Sequence, residues 1–326
     1  MMRNAGSRFD RQTIGIALVF AGAVVIALVP WFADNYAVRL CTTTCMFVVL
    51  ALSWNFIGGY AGYPSFASAA FFGLGAYAGA IAQTGGVPMV LAWVQATLIT
   101  AVVSAIIGVA ILRLRGHYFA VGSFAVLELF RLVTSSWSDL TGGGTGLNVP
   151  ILEGGPDYAG RFFLYAMLAL ALATFVLAIF VDRSRLGFGL RCIRQNESAA
   201  NMLGVDVNQL KIVAFILSTS FAGTVGAIYA SWVSYIDPSD MFSVLLTIKV
   251  PVMVLLGGAG TILGPVFGVV VFQILEERIL SNFLEIHAGV LGAVIVLLVF
   301  LLPGGLLRIP YLQMARWPGQ RSGYRK

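Results

Sequence analysis

The sequence predicts an all-α, polytopic membrane protein of about ten transmembrane helices, and three observations predict it. Apolar residues make up 59% of the 326 and charged residues only 10%, with a mean hydropathy of +0.91. Soluble domains carry about a quarter charged residues, so this chain cannot build a water-facing surface of ordinary size. Second, the apolar residues fall in runs long enough to cross a bilayer, which takes about 20 residues at 1.5 Å each. Third, the basic residues cluster between those runs rather than along them. A net charge of +6 distributed in this way reports membrane topology and gives no reason to expect nucleic-acid binding.

Taken in order, the runs are residues 13–32, 37–57, 66–83, 89–112, 117–135, 162–181, 211–232, 242–256, 262–280 and 287–307. Residues 1–12 are short and basic, but the apolar run after them is longer than a secretory h-region and has no small-x-small cleavage site. It reads as a retained first helix. The third, eighth and ninth runs are short or rich in Gly and Pro, so broken or re-entrant helices are open there. Cys41, Cys45 and Cys192 have neither disulfide nor zinc spacing and read as structural thiols.

With the N-terminus inside, fifteen of the twenty basic residues fall in inside segments and nine of the fourteen acids fall outside. Ten spans with both termini in the cytoplasm follow. The chain then divides into an N-terminal segment 1–12, a membrane domain 13–307 and a basic tail 308–326. An outer loop, 136–161, and an inner loop, 182–210, are long enough for structure of their own.

Two glycine-rich breaks echo each other. The second run ends in Gly58-Gly59-Tyr60-Ala61-Gly62 with Pro64 following, and the eighth ends in Gly257-Gly258-Ala259-Gly260 with Pro265 following. Both run from outside to inside, so a duplication would be a parallel repeat, with a substrate path between its halves. The other reading is that Gly and Pro are simply common in membrane helices. Gly58, Gly59, Gly62, Pro64, Ser65, Ser68, Gly257, Gly258, Gly260 and Pro265 are the candidate path residues. Glycine there either exposes backbone groups to a polar solute or only lets helices pack.

No catalytic residue, metal site or cofactor is expected. Gly142–Gly146 is glycine-rich but lacks the Gly-Lys-Ser/Thr of a nucleotide loop, and His117 and His287 have no partner ligands in sequence. Glu128, Arg131 and Lys249 are the charges inside apolar runs that bear most on function. Glu128 and Arg131 are three apart and can pair on one helix face, either holding helices together or lining a path. Lys249 can pair with Glu128, meet a substrate carboxylate or snorkel outward; an internal partner or snorkelling is favoured.

The inner loop is the most informative stretch. Asn196 can cap a helix beginning at Glu197, and Gly204 can close it after about two turns. Glu197 suits the helix dipole, and Ala199, Ala200, Met202 and Leu203 give a small, partly apolar face. Such a stub fits the groove of a cytosolic partner.

Here a family resemblance emerges. Glu197-Ser198-Ala199-Ala200 with Gly204 resembles the E-A-A…G coupling loop of ABC importer permeases. Residues 183–204, 58–77 (GGYAGYPSFASAAFFGLGAY), 113–120 (RLRGHYFA), 140–147 (LTGGGTGL) and 253–265 (MVLLGGAGTILGP) are similar, in order, to branched-chain amino acid permeases of the LivM type. Lysine at 249, where the family usually has an acid, and serine at 68, where many relatives have histidine, depart from that pattern. The resemblance implies a multi-pass protein of the bacterial inner membrane, without an ATPase site of its own. Its implied partners are two cytosolic ABC ATPase subunits, a second homologous permease and a periplasmic substrate-binding protein. It further implies that Glu197–Gly204 couples to an ATPase and that Gly142–Gly146 faces the binding protein. The implied substrates are leucine, isoleucine and valine; urea, short amides and aromatic or other carboxylates remain open. An ion-coupled secondary transporter is the alternative of a different class, but it would more typically carry several intramembrane acids.

Overall fold

The computed structural model describes residues 3–282 and Gly292. In chain order the helices are α1 (Arg3–Phe32), α2 (Asn35–Trp54), α3 (Ser68–Thr84), α4 (Met89–Ile111), α5 (His117–Ser136), α6 (Ser138–Thr141) and α7 (Pro156–Arg183). After them come α8 (Arg185–Gln195), α9 (Glu197–Met202), α10 (Val207–Val233), α11 (Pro238–Met241), α12 (Val244–Gly257) and α13 (Gly264–Asn282). Two-residue strands β1 (Leu147–Asn148) and β2 (Tyr235–Ile236) pair antiparallel. Among the described residues, seven helical stretches are long and apolar enough to cross a membrane. The chain is an all-α, multi-pass membrane protein. The short α3 has 17 residues, and α13 carries Glu276, Glu277 and Arg278. The predicted tenth span, 287–307, and the tail, 308–326, lie outside the described residues.

Differences from the predicted elements have local causes. The sixth span begins at Pro156 rather than 162, because proline at the first helical position needs no N–H partner and is set for helical φ. The outer loop is correspondingly shorter than 136–161 and is pinned by the pairing of β1 with β2, where Leu147 faces Ile236 and Asn148 faces Tyr235. Strands of two residues leave no periodicity to read. The second span does not stop near residue 57 but widens into a π-helical turn, Asn55–Tyr60, and an extended segment then precedes α3.

The core forms around α10 and α2. Helix α3 crosses α10 so closely that a Cβ on Gly226 would run into the carbonyl of Phe72. Small residues are what allow such approach between membrane helices. Phe71 packs edge-on to Phe215 across this crossing, with ring centroids 5.5 Å apart. Ser231 ties three helices together: Trp93 Nε1 of α4 donates to its Oγ at 2.9 Å, and Gln83 Nε2 of α3 at 2.8 Å. With no water to satisfy polar groups in the bilayer, such paired side chains are the rule.

Candidate functional site

Between α7 and α10 the chain folds into a small two-helix module. Ser184 caps α8, its Oγ accepting from the Gly187 N–H. Asn196 caps α9, its Oδ1 accepting from the Ala199 N–H at 3.0 Å. Gly204, at φ +82°, supplies the left-handed turn that ends the module. The start at Glu197 and the closure at Gly204 match the sequence expectation. Helix α8 is amphipathic, burying Leu190 and Ile193.

Glu197 faces inward rather than toward solvent. Its Oε1 lies 3.0 Å from Lys211 Nζ and 3.6 Å from Arg115 Nε, and Tyr63 Oη donates to its Oε2 at 2.5 Å. Lys211, on α10, is 1% exposed. Its ammonium also donates to Tyr63 Oη at 3.2 Å and to the Leu112 carbonyl at 3.4 Å, so three donors meet three acceptors. Partial burial would raise the Glu197 carboxyl. Hydrogen bonds from Tyr63 and Lys211, with the charges of Lys211 and Arg115, outweigh that and hold it below its ordinary value. One carboxylate thus joins α9, α10, the α2–α3 connection and the α4–α5 turn.

The rest of the expected coupling segment divides by exposure. Ala200 is buried beneath α9, while Ser198, Ala199 and Gly204 are exposed. Met202 and Leu203 of this segment are 87% and 81% exposed, and Phe188 of α8 is exposed as well. Large apolar side chains so bare on a short polar module are what a partner's groove would cover.

A second tie runs from α8 to both glycine-rich breaks. Arg194 donates through Nη1 to the Gly59 carbonyl at 2.5 Å and to the Ala259 carbonyl at 3.4 Å. Asn55, in the π-helical turn, donates to the Thr261 carbonyl at 2.9 Å and accepts from the Gly260 N–H at 2.8 Å. The two breaks therefore meet, joined by the side chains of Asn55 and Arg194. Gly59, Gly257, Gly258 and Pro265 are buried there, and Gly58 and Gly260 are half-buried. Gly62 and Pro64 are exposed, Ser65 and Ser68 buried. Ser65 is held by Trp54 Nε1, which donates to its carbonyl at 2.7 Å, and the next residue, Phe66, donates its N–H to Ser123 Oγ of α5 at 2.8 Å.

Glu128, Arg131 and Lys249 fall into two pairs. Arg131 Nη2 lies 2.7 Å from Glu128 Oε2, as the spacing on α5 predicts. Both residues belong to one helix, so this ion pair joins no two helices. Lys249 does not reach Glu128; it pairs with Glu276 of α13 at 2.5 Å. The sequence favours an internal partner or snorkelling without naming the partner, which lies 27 residues away. This pair lines a chamber of about 930 Å³ between α2, α10, α12 and α13, at the end of the molecule opposite the α8–α9 module. Arg39, Asp240 and Trp232 also line it, with the Arg39 guanidinium 5.9 Å from the Trp232 ring. Tyr36 hydrogen-bonds Glu277 at its rim.

Sequence reasoning missed Lys211, Tyr63, Arg115 and Arg194 as members of the site. Lys211 carried a signal, a lysine one turn inside an apolar helix with no local partner, but it read as an ordinary inside charge. The family described as branched-chain amino acid transport system / permease component matches residues 36–299. The chain is 27% identical to the Salmonella typhimurium "High-affinity branched-chain amino acid transport system permease protein LivM", covering 96% of this chain and 80% of that protein. The LivM protein of Escherichia coli K12 is 26% identical over the same shares. Its LivH permease protein is 26% identical over 44% of this chain and 46% of its own length. No solved structure matches.

Proposed function

The chain belongs to the branched-chain amino acid transport system permease family, and from that premise we propose that it is the membrane-spanning subunit of an ATP-driven amino acid importer. Its relatives' names say branched-chain amino acid transport, and leucine, isoleucine and valine are the substrates of this reading. In this reading the chain sits in the bacterial inner membrane with ten spans and both termini in the cytoplasm. A periplasmic binding protein delivers the substrate to the outer face, near Gly142–Gly146 and the β1–β2 pair. A second permease completes the channel, and two cytosolic ATPases, which hold and hydrolyse the nucleotide, drive it.

The observation that carries the reading is the two-sided character of the α8–α9 module. Its outward side is bare and apolar at Phe188, Met202 and Leu203. Its inward side is tied by Glu197 and Arg194 to nearly every element at that end of the bundle. A push on α9 passes through the Glu197–Lys211 pair to α10, and through Tyr63 and Arg115 to the connections on either side of α3–α4. A push on α8 passes through Arg194 to the ends of α2 and α12. Packed elements joined by discrete hydrogen bonds shift as units, which is what alternating access between outward and inward states requires.

The test is uptake of radiolabelled leucine in cells carrying the Met202→Asp, Leu203→Asp double variant. Uptake should fall at least tenfold while the protein inserts and melts as the wild type does, because both side chains are bare. Undiminished uptake would overturn the docking role of α9. Competition by isoleucine, valine, urea, short amides and aromatic carboxylates against leucine in the wild type would then fix the substrate class.

A further inference from the structure

We infer that the face of α5 bearing Glu128 and Arg131 lines the water-filled path, and that this ion pair opens to receive the ammonium and carboxylate of a passing amino acid. This rests on the importer reading and deepens it by naming where the solute's charges are met. Three helices leave much of their surface uncovered, and they provide a comparison within one molecule. The bare side chains of α1 include Ile14, Leu18, Phe20, Val24, Val25 and Leu28; those of α4 include Val90, Val94, Leu98, Val102 and Ile106. Neither the span 13–32 nor α4 contains a charged residue. These are faces made for lipid. On α5, the exposed Val121, Leu129 and Leu132 are interrupted by Glu128 and Arg131, whose side chains remain 30% and 44% exposed.

Depth makes the difference decisive. At 1.5 Å per residue, Glu128 and Arg131 lie about 16 Å and 21 Å from the inner end of a helix about 30 Å long. An ionised carboxylate at mid-helix, as Glu128 is, faces protein or water, not hydrocarbon, and its paired arginine shares that setting. Two further ties bind α5 into the bundle, one by its buried face, turned away from Glu128, and one by the turn before it. Ser123 receives the Phe66 N–H from the broken segment holding Pro64 and Ser65. The turn before α5 carries Arg115, which meets Glu197. Motion of α9 is thereby delivered to this helix.

The chemistry suits a zwitterion. A guanidinium binds a carboxylate through a planar fork of donors, and a carboxylate accepts from an ammonium. Without solute, Arg131 and Glu128 satisfy each other at 2.7 and 3.0 Å. Exchanging one such pairing for two similar ones attracts the solute without trapping it, as a conducting path needs.

The test begins with the intact importer in cells, with Cys41, Cys45 and Cys192 replaced by serine and single cysteines introduced. Ala125→Cys, Leu129→Cys and Leu132→Cys on α5 should react with a charged, membrane-impermeant methanethiosulfonate at least tenfold faster than Leu98→Cys and Val102→Cys on α4. Excess leucine should slow the reaction at 129. Equal, slow reaction on both helices overturns the inference, as does leucine protection at Thr43→Cys in the outer chamber with none on α5. In parallel, Glu128→Gln with Arg131→Gln should lower leucine uptake at least tenfold, and the swap Glu128→Arg with Arg131→Glu should restore part of it. Wild-type uptake by the neutral double variant overturns the exchange role. If the wild type carries no amino acid, the importer reading fails, while labelling still reports whether α5 is wet.

Discussion

The two ends of the bundle hold buried charge in opposite ways. At one end, Glu197 and Lys211 are closed in by Tyr63, Arg115 and the Leu112 carbonyl, and Lys211 is 1% exposed. At the opposite end, Lys249 and Glu276 pair in the wall of a chamber of about 930 Å³, with Arg39 and Asp240 also lining it. Lys211 has all three donors satisfied and is shut from solvent, so this pair resists displacement and can transmit one. A pair beside an open chamber can be hydrated and can separate at little cost. One end holds its charge in a closed network, and the other holds it beside a chamber.

The largest expected effect tests the closed network. Lys211→Met leaves Glu197 without its main partner, and Glu197→Gln leaves Lys211 charged and buried. Removing one member of a buried pair costs about 3–5 kcal/mol, which should appear as a lower melting temperature in detergent and loss of uptake. The double variant should recover much of the melting temperature but not the uptake. If either single variant melts like the wild type, the closed character of the Glu197–Lys211 pair is wrong.

A smaller effect is expected at the chamber. Lys249→Ala leaves Glu276 beside a chamber that water can fill, so its cost should fall below that of Lys211→Met, whose partner has no such chamber. A loss as large as that of Lys211→Met would abolish the contrast between the two ends. Asn196→Ala, which removes the cap of α9, should cost about 1 kcal/mol in the module alone. Protease sensitivity of the inner loop would report that local loosening better than global melting.

The smallest effect is one of pH. Because the Glu197 carboxyl is held below its ordinary value of 4.5, the stability it contributes is complete above that value and is lost as pH falls through the depressed one. Melting temperature should therefore not change through this group between neutral pH and about 5. Below 4.5 the wild type should lose stability that Glu197→Gln lacks already. A transition near neutrality that vanishes in Glu197→Gln would mean the carboxyl is not held down by its partners.

Much of this molecule was legible from residues near one another in sequence. Run length and composition specified a multi-pass helical membrane protein, because a bilayer demands about 20 apolar residues per span. Asn196 and Gly204 fixed the ends of α9, because capping is settled within four residues. The i,i+3 spacing of Glu128 and Arg131 specified their pairing for the same reason. Tertiary structure alone decided that Glu197 turns inward to Lys211 and Tyr63, that Lys249 chooses Glu276 over Glu128, and that Arg194 clasps both glycine-rich breaks. Each of these joins residues on different elements, and hydrophobic periodicity says which face of a helix is buried without saying which neighbour buries it. The charge on a side chain is written in the sequence; the partner that neutralises it is selected by how the helices pack.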